Sequence, residues 1–113
     1  MKERVSACPI EGAMILLSGR WRALILYYLN QGPMRFNELK RVNQGISQQM
    51  LTRELRALEK AGVIARTAFP QVPPRVEYRL TAAGERLMPV IDALSDWWKS
   101  TQRASGARSM QRL

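Results

Sequence analysis

The segment from Asn43 to Gly62 leaves the chain little choice of fold. Asn43-Gln44-Gly45 is a tight turn. Ser47 follows as a helix cap, and Ile46 and Leu51 are spaced to pack together across the helix start. Met50 stands where a Glu or Gln would complete a capping box. Leu51, Leu55 and Leu58 then recur at helical spacing, which predicts one helix with one buried stripe, stopped by Gly62. The turn is too short to carry this helix far from its predecessor, a short helix marked by Phe36, Leu39 and Val42 with Arg35, Lys40 and Arg41 around it. Phe36 to Lys60 therefore reads as two helices joined by a tight turn.

The flanks extend the pattern. Pro9 suits a first helical position, with Cys8 as its cap and Ile10, Ala13, Met14 and Leu17 as an apolar face. Ser18-Gly19 breaks that helix. A second carries Trp21, Leu24, Ile25, Tyr28 and Leu29 and ends at Gly32-Pro33. After Gly62 come two β-type runs, Val63 to Ala68 and Val76 to Leu80. The loop between them, Phe69 to Arg75, holds Pro70, Pro73 and Pro74, so a hairpin with a stiff tip is expected. Thr81 caps a last helix with Leu87, Ile91, Leu94 and Trp98 on one stripe, widened by Met88, Val90 and Trp97, and kinked at Pro89. The fold class is thus mainly α with a small β-hairpin, in the order of a winged helix-turn-helix. One domain is expected over residues 1–99, followed by a basic, mobile tail at 100–113.

Composition decides what such a frame serves. Eighteen Lys or Arg against nine acids give a net charge of +9, and the field attracts polyanions, nucleic acid first. Residues 34–80 hold nine of the basic residues and four of the acids, so most of the excess lies on the helix-turn-helix and hairpin. With Leu51, Leu55 and Leu58 inward, the outer face of the helix carries Ser47, Gln48, Gln49, Thr52, Arg53, Arg56 and Lys60. Gln and Arg can each form paired hydrogen bonds to purine edges in the major groove, which admits one helix. Arg56 and Lys60, further along, lie nearer the phosphate backbone. Arg35 stands at the start of the preceding helix, and Arg75 at the hairpin loop, where an arginine can enter a narrow minor groove. A solvated helix face and a loop packed on its own domain are the plainer readings of the same residues.

Other classes fall away. The chain has no histidine, one cysteine, scattered carboxylates and no phosphate-binding glycine loop, which argues against an enzyme, a metal site and a bound cofactor. Only eight aromatics occur, most on apolar stripes, so no stacking platform for RNA is visible. The longest apolar run, Ala23 to Leu29, is far short of the roughly 20 residues that span a bilayer. Val5-Ser6-Ala7-Cys8 looks like a lipoprotein cleavage site but lacks a preceding apolar stretch, so a cytoplasmic protein is expected.

Taken together, Cys8-Pro9-Ile10-Glu11, Gly19-Arg20-Trp21-Arg22, Gly32-Pro33-Met34-Arg35-Phe36-Asn37-Glu38-Leu39, Gly45 to Thr52, Pro73-Pro74-Arg75-Val76-Glu77-Tyr78 and Leu80-Thr81 with Gly84 resemble the HxlR-type winged-helix regulators, relatives of the MarR regulators. The resemblance runs from Cys8 to about Trp98. It departs at Gln49, where members often carry Lys. It implies a homodimeric transcription factor on an inverted-repeat operator in double-stranded DNA, with an interface built from the first and last helices. Ile10, Met14, Leu87, Ile91, Leu94, Trp97 and Trp98 supply the apolar surface for that contact, more than one short domain covers. Nothing in the sequence reads as a second domain for contacting polymerase, so repression is the expected mode. Some members sense oxidants or electrophilic quinones and aldehydes through a cysteine near the N-terminus. Cys8 matches that position, with Lys2 and Arg4 nearby and Glu11 opposing them. A buried, inert thiol is the other reading of Cys8, and a protein-binding module with only nonspecific DNA affinity is the other reading of the whole chain.

Overall fold

The computed structural model describes residues 7–104. Five helices and one antiparallel hairpin follow in the order α1 (Pro9–Leu16), α2 (Arg22–Leu29), α3 (Phe36–Val42), α4 (Gln48–Lys60), β1 (Ile64–Phe69), β2 (Arg75–Leu80) and α5 (Ala82–Ala104). This is a winged helix, as the order of sequence signals predicts.

The α4 helix forms as its sequence dictates. The Ser47 hydroxyl accepts a hydrogen bond from the Met50 amide at 3.0 Å. Ile46 and Leu51 are both buried, which fixes the angle at which the turn enters the helix. At the far end Gly62 adopts φ +83°, its amide donates to the Glu59 carbonyl, and the Val63 amide donates to the Leu58 carbonyl. This double closure stops the helix and turns the chain directly into the hairpin. Leu51, Leu55 and Leu58 are buried beneath it, each worth about 2–3 kcal/mol of hydrophobic stabilisation. Asn43, 1% exposed, folds its side-chain amide onto the Leu39 carbonyl at 2.9 Å and so ties the tight turn to α3.

Several boundaries differ from the sequence expectation. The ladder pairs Ile64 with Leu80 through Phe69 with Arg75, one residue further out than the expected strands, leaving a loop of residues 70–74. The extra pair is held by the Arg75 guanidinium lying 4.3 Å from the centre of the Phe69 ring. Met34 adds a bridge to Tyr78, with both backbone bonds made, so the stretch before α3 flanks the wing. In α2 the buried residues are Ile25, Leu26 and Leu29, whereas Leu24, expected inside, is exposed. The α2 helix packs against α3, β2 and α5 and buries an i, i+1, i+4 set, which leaves Leu24 on the outer edge.

The α5 helix starts on a hub at Thr81. The Thr81 hydroxyl accepts from the Gly84 amide at 3.2 Å and donates to the Gly62 carbonyl at 2.6 Å, while the Thr81 amide donates to the Val63 carbonyl. Gly84 is buried so closely against Val63 that a Cβ there would strike the Val63 carbonyl oxygen. Pro89 lies inside the helix without ending it. Its ring is exposed, so water can reach the Glu85 carbonyl that loses its intrahelical partner. The helix runs through Ala104, past the domain boundary expected at residue 99. There Ser100 and Thr101 return their hydroxyls to the Trp97 and Trp98 carbonyls, which lets polar residues continue the helix. The rest of the expected tail, residues 105–113, lies outside the described residues, as do Lys2 and Arg4. No helix among the described residues is long and apolar enough to cross a membrane.

Candidate nucleic-acid interface

The outer face of α4 is polar and accessible. Gln48, Gln49, Arg53, Arg56 and Lys60 are exposed, opposite the buried leucines. Gln48, Gln49, Thr52, Arg53 and Arg56 together line one open hollow on this face. Thr52 is half-buried, and its hydroxyl donates to the Gln48 carbonyl at 2.9 Å, which leaves its oxygen as an acceptor. Ser47 is occupied as the helix cap. Lys60 closes the last turn, where its charge also suits the negative end of the helix dipole.

Carboxylates near this face are disposed of differently. Glu54, at its flank, turns back towards α2 and pairs with Arg22, Nε to Oε1 at 2.5 Å. Its charge is thereby turned away from the outer face of α4. Glu59 stays exposed on the side towards the wing. The Arg22–Glu54 pair was not visible in the sequence, because residues 32 positions apart on two helices carry no local signal.

Arg35 and Arg75 are brought together. Both line a hollow between the start of α3 and the wing, with Asn37, Glu38 and Pro74 around it. The Arg35 amide donates to the Glu38 carboxylate at 2.8 Å, a local bond that fixes the first turn of α3 while the side chain stays exposed. Arg75, expected in the hairpin loop, belongs to the ladder instead. It is the first residue of β2, half-buried over Phe69, with Nε 3.6 Å from a Glu77 carboxylate oxygen. The aromatic ring and Glu77 hold the guanidinium at the base of the loop.

The apolar surface divides in two. Ile10, Met14, Leu94, Trp97 and Trp98 are exposed, at 47–68%. Ile91 is buried and Leu87 half-buried, and both pack against this chain's own core, while Ile91 also lines an apolar hollow with the exposed Leu24, Tyr27 and Leu94. The physical reason is the helical turn: Gly84, Met88 and Ile91 share the inner side of α5, and a stripe read only as apolar does not separate its inner edge from its outer one. Val90 is exposed besides, and so are Ile15, Leu24 and Tyr27, which the sequence reading did not assign to this surface. Cys8 caps α1 without a side-chain cap bond and is exposed rather than buried.

A tight helix-turn-helix, an arginine- and glutamine-bearing second helix and an adjoining wing define a winged-helix protein of the transcription-regulator kind. Residues 16–105 match the family described as HxlR-like helix-turn-helix, and the chain belongs to that family. An uncharacterised HTH-type transcriptional regulator of Methanothermobacter thermautotrophicus is 45% identical over 105 residues, 90% of this chain and 80% of that protein. Among solved structures, the redox regulator HypR in its reduced form superposes with a TM-score of 0.82 at 36% identity, covering 88% of this chain and 99% of that one. The reduced form of the transcriptional regulator YodB from Bacillus subtilis gives 0.75 at 38% identity, covering 81% and 91%. The protein is a helix-turn-helix transcriptional regulator, a non-enzymatic class.

Proposed function

We propose that this regulator is a sequence-specific repressor that binds an inverted-repeat operator as a homodimer, in the compartment that holds the chromosome. The observation that carries the reading is the exposed face of α4, where Gln48, Gln49, Arg53 and Arg56 share one surface free of the Glu54 charge. In the major groove, Gln48, Gln49 and Arg53 meet base edges, Thr52 and Ser47 lie against base or phosphate, and Arg56 and Lys60 meet phosphates. Arg35 holds the backbone at the start of α3. The loop 70–74 faces the adjacent minor groove with Arg75 at its base.

The second copy packs against the exposed Ile10 and Met14 of α1 and Leu94, Trp97 and Trp98 of α5. A two-fold contact between these surfaces covers them both. Occupancy of a promoter by such a dimer excludes polymerase. Exposure of Cys8, and the description of the similar HypR as a redox regulator, support a thiol that responds to oxidants or electrophiles.

Selection of bound sequences from random duplex DNA at about 150 mM salt tests the reading, because nonspecific attraction is then screened. Enrichment of an inverted repeat with half-sites about one helical turn apart is the expected result. Binding with no preferred sequence, fading as salt rises, would favour a protein-binding module instead.

A further inference from the structure

The cleft between α4 and the wing holds an arginine that no reading of α4 alone finds. Arg66 follows Ile64 by two residues on β1, so the two share a face of the hairpin, and Tyr78 lies opposite Arg66. Ile64 is buried in the core with α4's leucines. Two residues on, that face emerges at the edge of the core, still turned towards α4. There Arg66 lines one hollow of about 370 Å³ with Thr52, Arg56, Glu59 and Tyr78. Arg56 and Arg66 are both exposed, and among the described residues neither makes an ion pair.

A helix in the major groove and a loop over the neighbouring minor groove have one sugar–phosphate strand between them, because that strand is the wall the two grooves share. On this protein the wall crosses the cleft between α4 and the wing. We propose that Arg56 and Arg66 form a two-sided seat for one backbone phosphate at this crossing, the first from the helix and the second from the wing. The inference rests on the DNA-binding reading above and adds to it a residue, Arg66, and a place on the duplex. Two guanidinium groups from different elements hold a phosphate from two directions and so set the tilt of the duplex, without reading its sequence. Glu59 lies in the same hollow and opposes the phosphate, which limits how deeply the strand enters.

The test is binding of the full chain to a fluorescent duplex at several salt concentrations, with both the selected operator and a random sequence. Arg66→Ala is expected to weaken binding to both duplexes by the same factor, roughly tenfold, and to flatten the dependence of log affinity on log salt by about 0.9 per protomer. Arg66→Lys keeps the charge and is expected to keep most of the slope. Glu59→Gln is expected to strengthen binding to both duplexes. An unchanged slope in Arg66→Ala, with operator preference intact in the unaltered protein, overturns the phosphate seat and leaves the operator reading standing. A flattened slope on random DNA, with no operator preference in the unaltered protein, supports the seat while removing the sequence-reading role.

Discussion

The guanidinium of Arg22 grips the carboxylate of Glu54 across 32 residues of sequence. Both side chains are mostly buried, 22% and 15% exposed, so the pair is less screened than a surface ion pair. The same guanidinium donates through Nη1 to the Leu16 carbonyl at 3.2 Å and, more weakly, to the Ile15 carbonyl at 3.4 Å. One side chain thus joins the end of α1, the start of α2 and the back of α4. It also takes one of α4's two carboxylates away from the face proposed to meet DNA.

Arg22→Ala should therefore destabilise the protein by about 1–3 kcal/mol, because it strands a mostly buried carboxylate. The double change Arg22→Ala with Glu54→Ala should recover part of that loss. Urea unfolding at fixed protein concentration measures both. A double variant no more stable than Arg22→Ala alone would show that the lost carbonyl bonds, and not the ion pair, matter.

Gly62→Ala should cost about 1–2 kcal/mol, since the left-handed backbone that closes α4 disfavours a Cβ. Gly84→Ala should cost more, about 3 kcal/mol, because backbone rather than a flexible side chain blocks the new methyl group. Thermal unfolding ranks the two, and the reverse order would mean that α5 lifts off Val63 easily.

Arg53→Ala should relax base preference, by about 1–3 kcal/mol of discrimination at one position of each half-site. Lys60→Ala should leave preference intact and lower affinity for all duplexes, with a shallower salt dependence. Competition binding against single-base operator variants separates the two, and unchanged preference in Arg53→Ala would contradict its place at a base edge.

Replacing Trp97 and Trp98 together by Ala should shift the protein to monomers and weaken operator binding, with little loss of the monomer's own core. Ile91→Ala should instead lower stability by about 2–4 kcal/mol, because it opens a cavity beneath α5. Sedimentation and denaturant unfolding read the two effects independently. Dimers that survive the double Trp change would move the interface elsewhere.

Cys8→Ser should bind operator as the unaltered protein does, yet keep that binding when a thiol oxidant such as diamide is added. The unaltered protein should lose or change it. Equal responses of both proteins to the oxidant would remove Cys8 from any sensing role.

The elements that were legible in the sequence are those set by local chemistry. Ser47, Ile46, Leu51 and Gly62 act within a few residues of one another, so the start, stop and buried side of α4 could be read directly. The wing's existence followed from alternation and proline placement. What escaped depends on contacts distant in sequence. Arg75 leaves the loop because Phe69 stands across the ladder, and Ile91 turns inward because it shares the inner side of α5 with Gly84 and Met88. Arg66 joins the α4 face only because the fold sets β1 beside α4. Its only sequence trace is the two-residue offset from Ile64.

The joint at Thr81 has a consequence for the DNA. The Gly62 and Val63 carbonyls both bond to Thr81, and Gly84 seats α5 on Val63, so the end of α4, the root of the wing and the start of α5 meet at one hydrogen-bonded corner. A protein built this way compares a site at fixed offsets. One exchanged base disturbs one contact. In the proposed complex, one inserted base pair between the points met by α4 and by the wing would displace everything beyond it by about 3.4 Å and roughly a tenth of a turn. On that reading, its operators would be free to drift by substitution while their length stays locked.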